Sequence, residues 1–312
     1  RTPAKYASLG ARAARRARRA DVVYAHFLFP TGAVAAAAAR VARIPYVLTA
    51  HGQDVRNLSR GLVRRASAGP VRGADALIAG SEHLAQGLRA TGLDLPPVSV
   101  IDMGVDLERF APGDRGAARG RLGLPADAPL VLAVGGLTER KNPLGLLQAF
   151  ARVRAALPAA LLALVGDGPL AGAVDAGARR LGLARAVVRP GAVPHAAVAD
   201  WMAACDVLAL VSRVEPLGVV ALEAMASGRP VVATREGGTA EVVPDPGAGR
   251  VVDPLDPGAV ATAILALLGD PPSPGACRAA AAPHALPRQA ARVAAVLEAA
   301  AARRPQPEAP SA

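Results

Sequence analysis

Lysine is almost missing from this chain: of 36 basic residues only Lys5 and Lys141 are lysine, and the others are arginine. Ala, Gly and Pro are abundant, so the arginines reflect compositional bias. An Arg cluster therefore carries little weight here, and a lone lysine carries more. Aromatic residues are scarce at 3%, and no zinc-finger, RNP-like or helix-turn-helix signature accompanies the net charge of +11. No nucleic acid is expected as a partner. Cysteine is reduced to Cys205 and Cys277, in no metal-ligand spacing. This excludes a disulfide framework and fits a reducing compartment, with a cytoplasmic location as the expectation. No apolar run approaches the roughly 18 residues that a bilayer-spanning helix needs.

What is present is 312 residues with 52% hydrophobic content, enough for two domains with cores of their own. Strand-length apolar runs at 22–27, 46–50, 76–79 and 98–101 alternate with helical stretches at 32–43 and 82–90. Further strands at 130–134, 161–165, 186–188, 207–211 and 230–234 continue the pattern. Such alternation marks an α/β protein with parallel sheets. Residues 11–20 read as a helix carrying Arg12, Arg15, Arg16, Arg18 and Arg19. A transit peptide has that composition, but a strand follows at once, so the helix reads as a sheet crossover. Its basic face suits peripheral contact with an anionic membrane.

The densest chemistry lies between 207 and 243. A strand ends at Val211, Ser212 to Glu215 form a loop, and Pro216 suits the first turn of a new helix. Gly218 lets a ligand approach the amides of Leu217, Gly218 and Val219, at the positive end of the helix dipole, which makes an anion site. Gly228 reads as the residue that ends this helix, and Gly237-Gly238 as the opening of another, with Thr239 its cap. Glu215 precedes the first helix and Glu223 lies inside it, seven residues intervening, and neither has a lysine near it in sequence. Taken alone, the pair reads as a charge near a helix start and a solvated face. Taken together, two carboxylates around an anion site suit the hydroxyl groups of one ligand, since a carboxylate only accepts and can hold a vicinal diol.

The string EPLGVVALEAMASGRPVVAT, 215–234, resembles the Glu, seven residues, Glu motif of the retaining family 4 glycosyltransferases. That resemblance extends over most of the chain. It implies the GT-B fold, two Rossmann-like α/β domains with parallel sheets facing across a cleft. It also implies transfer of a sugar from a nucleotide-diphosphate sugar to an acceptor hydroxyl with retained configuration. Glu215 would lie beside the donor sugar, the amides around Gly218, Val219 and Val220 would meet sugar and phosphate, and Glu223 would bind the ribose. AHGQDV at 50–55 looks like the family's N-domain His motif, which places His51 at the donor sugar. His26 also ends a strand, but no carboxylate or thiolate completes a metal set with His51, and no metal is assigned.

In the second half, Gly135 and Gly136 follow a strand, and Arg140-Lys141 precede a helix, an arrangement suited to phosphate. By resemblance Lys141 contacts the donor diphosphate. The family commonly has Arg where Gly136 stands, and Arg140 is the candidate substitute. Gly166-Asp167-Gly168-Pro169-Leu170-Ala171 fits a dinucleotide fingerprint, yet the next strand ends in Arg189 instead of an acidic residue, so NAD is not expected. Gly166 and Pro216, with Leu217, complete the expected nucleotide-sugar site. No cofactor is expected, the nucleotide sugar being substrate, and no DxD-type metal motif is present. The domains expected are 1–109, on the acceptor side; 110–287, nucleotide-sugar-binding; a helix at 288–303 returning to the first domain; and a disordered tail at 304–312. The chain starts at Arg1 without Met, and the resemblance starts in mid-domain. The first domain is therefore expected to lack its N-terminal strand or strands, and the chain as given to bind donor but transfer poorly. A non-catalytic sugar-nucleotide-binding protein or pseudoenzyme shares this donor site and stays open. The acceptor is not named by the residues, and lipid-linked acceptors are within the class.

Overall fold

A computed structural model describes residues 2–58 and 61–303. The tail expected at 304–312 lies outside the described residues. The chain divides into two compact units, one reaching Asp102 and resuming at Gln289, the other Met103–Arg288.

The first unit is built on four parallel strands in the order β1 (Val23–His26), β2 (Tyr46–Ala50), β3 (Ala76–Ala79) and β4 (Val98–Val100). Val47, Leu48, Leu77 and Ile78 are fully buried at its centre, as continuous apolar strands covered on both faces must be. One face packs against helices Thr31–Ala42 and Glu82–Arg89 through Ala35, Ala39, Leu84 and Leu88. The other face takes Val293, Val296, Leu297 and Ala300 from the last helix, and Arg292 donates to the carbonyl of Val100 at 2.7 Å. The Arg-rich first helix runs Thr2–Ala17, longer than its sequence outline, with Arg12, Arg15 and Arg16 exposed.

The second unit holds six parallel strands in the order β10-β9-β8-β5-β6-β7. They are β5 (Leu130–Val134), β6 (Leu161–Val165), β7 (Val187–Gly191), β8 (Val207–Leu210), β9 (Val231–Thr234) and β10 (Gly249–Val252). The order reverses between β5 and β8, and the crevice at the carboxyl ends of strands around such a switch point is where open α/β sheets take ligands. β10 was not legible in sequence, being short and interrupted by Arg250, and a further helix, Pro274–Ala281, was not read from the sequence.

The boundary expected at 109 shifts to 102 because residues 103–109 pack in the second unit. Val105 pairs with the 284–286 segment through backbone bonds to His284 and Leu286, Arg278 donates to the carbonyl of Leu107, and Phe110 is buried in the second core. At the amino ends of the strands a buried guanidinium, Arg119, donates to the carbonyls of Ala204, Pro125, Ala126 and Ala128 and to the carboxylate of Asp206. Burying a cation is tolerable only when its donors are matched this fully. Asp206 in turn accepts from Arg115 and from the amide of Leu130, fixing the start of β5.

Candidate donor site

Two glycines let the exits of β5 and β6 run backbone against backbone. A Cβ on Gly166, whose φ is 141°, would stand 2.1 Å from the carbonyl oxygen of Gly135, and one on Gly168 would stand 2.6 Å from that of Leu137. No side chain fits either place. This close approach aims the loop after β5 over the sheet, where a short 3-10 turn, Glu139–Lys141, delivers Arg140 and Lys141. The hollow beneath is lined by Gly135, Gly136, Lys141, Leu210 and Val211.

Lys141 Nζ meets Glu215 Oε2 at 2.6 Å. Arg140 donates to the same oxygen at 3.2 Å and Ser212 Oγ at 2.8 Å. Glu215 therefore does have a lysine partner, contrary to its sequence surroundings, because β5 and β8 are hydrogen-bonded neighbours. Burial pushes the Glu215 carboxyl up, but Lys141, Ser212 and Arg140 together outweigh it and hold the group below the ordinary carboxylate range. Among the described residues nothing hydrogen-bonds Oε1 of Glu215. Its backbone is clamped as well: the Glu215 amide donates to Glu236, the Gly238 amide donates back to Glu215, and a Cβ on Gly237 would sit 2.0 Å from the Glu215 oxygen.

The helix after this loop is Val219–Ala226, capped by Gly218 at φ 79°. It starts later than Pro216 suggested, since left-handed Gly218 interrupts helical geometry, so Pro216 and Leu217 belong to the loop. Val219 and Val220 then open the helix, with amides that helix geometry leaves without an intrahelical acceptor. Gly218 is needed for space too: a Cβ there would lie 2.6 Å from Leu210 Cδ2 and 3.0 Å from Thr239 Oγ1. The second helix expected after Gly237-Gly238 is only a 3-10 turn, Thr239–Glu241, and Thr239 does not cap it. Among the described residues the buried Thr239 hydroxyl has no hydrogen-bond partner. Gly228, at φ 75°, does end the helix.

Glu223 is not a solvated face. It is 7% exposed, and its Oε1 lies 2.8 Å from Nε2 of His195, the first residue of helix His195–Ala204. Sequence reasoning missed His195 and Ser212, since each acts through a contact that only the fold creates. His51 is in the first unit, at the start of helix Gly52–Asn57. Its amide donates to Asp54 Oδ2 at 2.9 Å, and its Nε2 is 3.1 Å from His26 Nδ1. Burial first, then His26, lowers the basicity of the His51 ring. Among the described residues no three His, Cys, Asp or Glu side chains gather as a metal site, and no helix is long and apolar enough to cross a membrane.

A family profile described as glycosyl transferases group 1 matches residues 114–283, and one described as glycosyltransferase family 4 matches residues 1–109. The chain belongs to the group 1 glycosyltransferases. Among group 1 relatives, D-inositol 3-phosphate glycosyltransferase 1 of Catenulispora acidiphila is 37% identical over 292 residues, 85% of this chain and 68% of that protein. D-inositol 3-phosphate glycosyltransferase 2 of the same organism is 42% identical over 211 residues, 64% of this chain and 49% of the relative. For several such curated relatives the match spans about half their length. Among solved structures, Anabaena HepE in complex with UDP-glucose aligns with a TM-score of 0.83 at 26% identity, covering 93% of this chain and 82% of that one. The two parallel sheets of this group 1 chain are thus those of GT-B-like neighbours.

Proposed function

We propose that the second unit binds a nucleotide-diphosphate sugar and that the protein transfers the sugar to an acceptor hydroxyl with retained configuration. The observation that carries this reading is the convergence of Lys141, Arg140 and Ser212 on one oxygen of Glu215 beside the glycine-capped helix start. The chemical burden in such a transfer is the charge developing on the departing diphosphate. Two cations and first-turn amides fixed beforehand can stabilise that charge without reorganising. Arg140 supplies the second cation that Gly136 does not, which favours the enzyme over a non-catalytic binder. His51 enters this assignment by its motif alone. HepE is described with UDP and with UDP-glucose, and one relative is described as GDP-mannose-dependent, so both bases are candidates here. Inositol phosphates and phosphatidylinositol mannosides, for which relatives are named, are the acceptors to try first. The exposed arginines of the first helix suit contact with anionic lipid, and the buried thiols of Cys205 and Cys277 suit a reducing cytoplasm.

Calorimetry tests the donor assignment. Glu223→Ala is expected to weaken binding of the free nucleoside diphosphate about 10–100-fold, the scale of a lost hydrogen bond to a charged group. Glu215→Gln is expected to spare it, since that carboxylate is assigned to the sugar. Equal losses in the two variants would reverse the roles, and no binding by the parent chain would remove the reading.

A further inference from the structure

We infer that Phe27 is a stacking platform for the acceptor, and that the acceptor hydroxyl is carried by a ring polyol, a pyranose or cyclitol, laid with its C–H face on the phenyl ring. The inference rests on the transfer reading above and deepens it, naming the acceptor class and the residue that receives it.

Phe27 follows His26, the last residue of β1, and has a φ of 71°. A bulky side chain is an outlier in that region, which glycine enters freely. Four contacts hold it there. The Phe27 amide donates to the Thr49 carbonyl at 2.9 Å, and the Thr31 hydroxyl is shared between the carbonyls of His26 and Phe27. Leu28 is buried in the first core, and the Asp54 carboxylate accepts from the amides of both Leu28 and His51. Leu28 is thereby drawn inward and Phe27 held outward, 44% exposed. Phe110 and Phe150, by contrast, are fully buried in the second unit. One exposed apolar side chain is ordinary, but backbone strain over-determined by its surroundings points to a use.

The neighbours of the ring select the ligand. Its centroid lies 4.6 Å from that of His51, tilted by 40°, and His51 Nε2 is 3.1 Å from His26 Nδ1. An aromatic face carries the negative part of the ring quadrupole, which repels an anion and attracts C–H groups polarised by adjacent oxygens. An acyl chain would cover the phenyl face but strip water from the imidazole edges without replacing its hydrogen bonds. A ring polyol answers both, with a C–H face for the phenyl ring and hydroxyls for the imidazole nitrogens. His26 is exposed, and among the described residues no hydrogen bond reaches its Nε2. Burial and His26 lower the basicity of His51, which favours the neutral ring, able to donate at one nitrogen and accept at the other.

The test titrates myo-inositol, methyl α-mannopyranoside and D-inositol 3-phosphate onto the chain with UDP or GDP present, beside octyl phosphate and inorganic phosphate, and reads saturation-transfer NMR. For the parent chain, saturation is expected to concentrate on the C–H protons of one ring face of at least one polyol. In Phe27→Leu, which keeps an apolar side chain but loses the aromatic face, affinity for that polyol is expected to fall about fivefold or more. In Phe27→Trp it is expected to stay within about threefold, with nucleotide affinity unchanged in both variants. Leucine and tryptophan bear the same left-handed strain as phenylalanine, so the comparison isolates the ring. Equal polyol affinity in Phe27→Leu and the parent would overturn the inference, as would octyl phosphate depending on Phe27 where no polyol does. Failure of every polyol on a chain that binds a nucleoside diphosphate would also overturn it and leave the donor site standing. Failure of both nucleotides would overturn the donor reading and this inference with it.

Discussion

Lys141→Ala is expected to lower sugar transfer about 10²–10³-fold, the effect of removing one preorganised donor from a developing oxyanion. The measurement is kcat with a nucleotide sugar; transfer within threefold of the parent would end the assignment. The variant should also be less stable at neutral pH by about 1–3 kcal/mol, since a buried carboxylate loses its closest partner. Because the folded-state Glu215 carboxyl is held low, its contribution to stability is present above the ordinary carboxylate pKa and is lost as pH falls through the lowered value. In Lys141→Ala the burial that pushes the carboxyl up is less opposed. The stability gap between parent and variant is therefore widest at neutral pH and closes as pH falls through the carboxylate range. Pairing Lys141→Met with Glu215→Gln should restore much of the stability and none of the transfer, which separates the two roles.

Gly237→Ala should cost about 3 kcal/mol or more, combining left-handed strain with overpacking. Its φ is 112°, and the new Cβ would meet the Glu215 carbonyl oxygen at 2.0 Å, so either the 236–238 backbone or Glu215 must move. For a unit of this size the loss corresponds to a fall of roughly 6–12 °C in Tm, and nucleotide-sugar affinity should fall with it as the clamp on Glu215 opens. Gly247→Ala, where a Cβ meets only Pro244 Cβ at 3.6 Å, is the control and should unfold within about 2 °C of the parent. Parent-like melting of Gly237→Ala would show that the clamp is not needed.

The strands were legible where apolar runs were continuous and flanked by Gly or Pro, as at β2, β5 and β6. They were least legible at β10, where Arg250 breaks the run. The two glutamates were visible from their spacing around a glycine-opened helix. Their partners were not. Lys141 lies 74 residues from Glu215 and His195 lies 28 from Glu223, and no local pattern reports such distances. The adjacency comes from strand order, which hydrophobic periodicity does not encode. The start of the Val219–Ala226 helix was misplaced because Pro216 signals a first turn, whereas the left-handed backbone of Gly218, which postpones it, leaves no mark in the sequence beyond the glycine itself.

Three donors converge on Oε2 of Glu215, and this crowding gives lysine at 141 a physical advantage over arginine in a chain strongly biased toward arginine. An ammonium is a compact point charge that can meet a single carboxylate oxygen, while a guanidinium is a planar fork that pairs with a carboxylate through both oxygens. An arginine at 141 could pair with both oxygens and close the face of Glu215 that the proposed function gives to a sugar hydroxyl. The side chain that is common over this surface would here occupy the place proposed for the substrate.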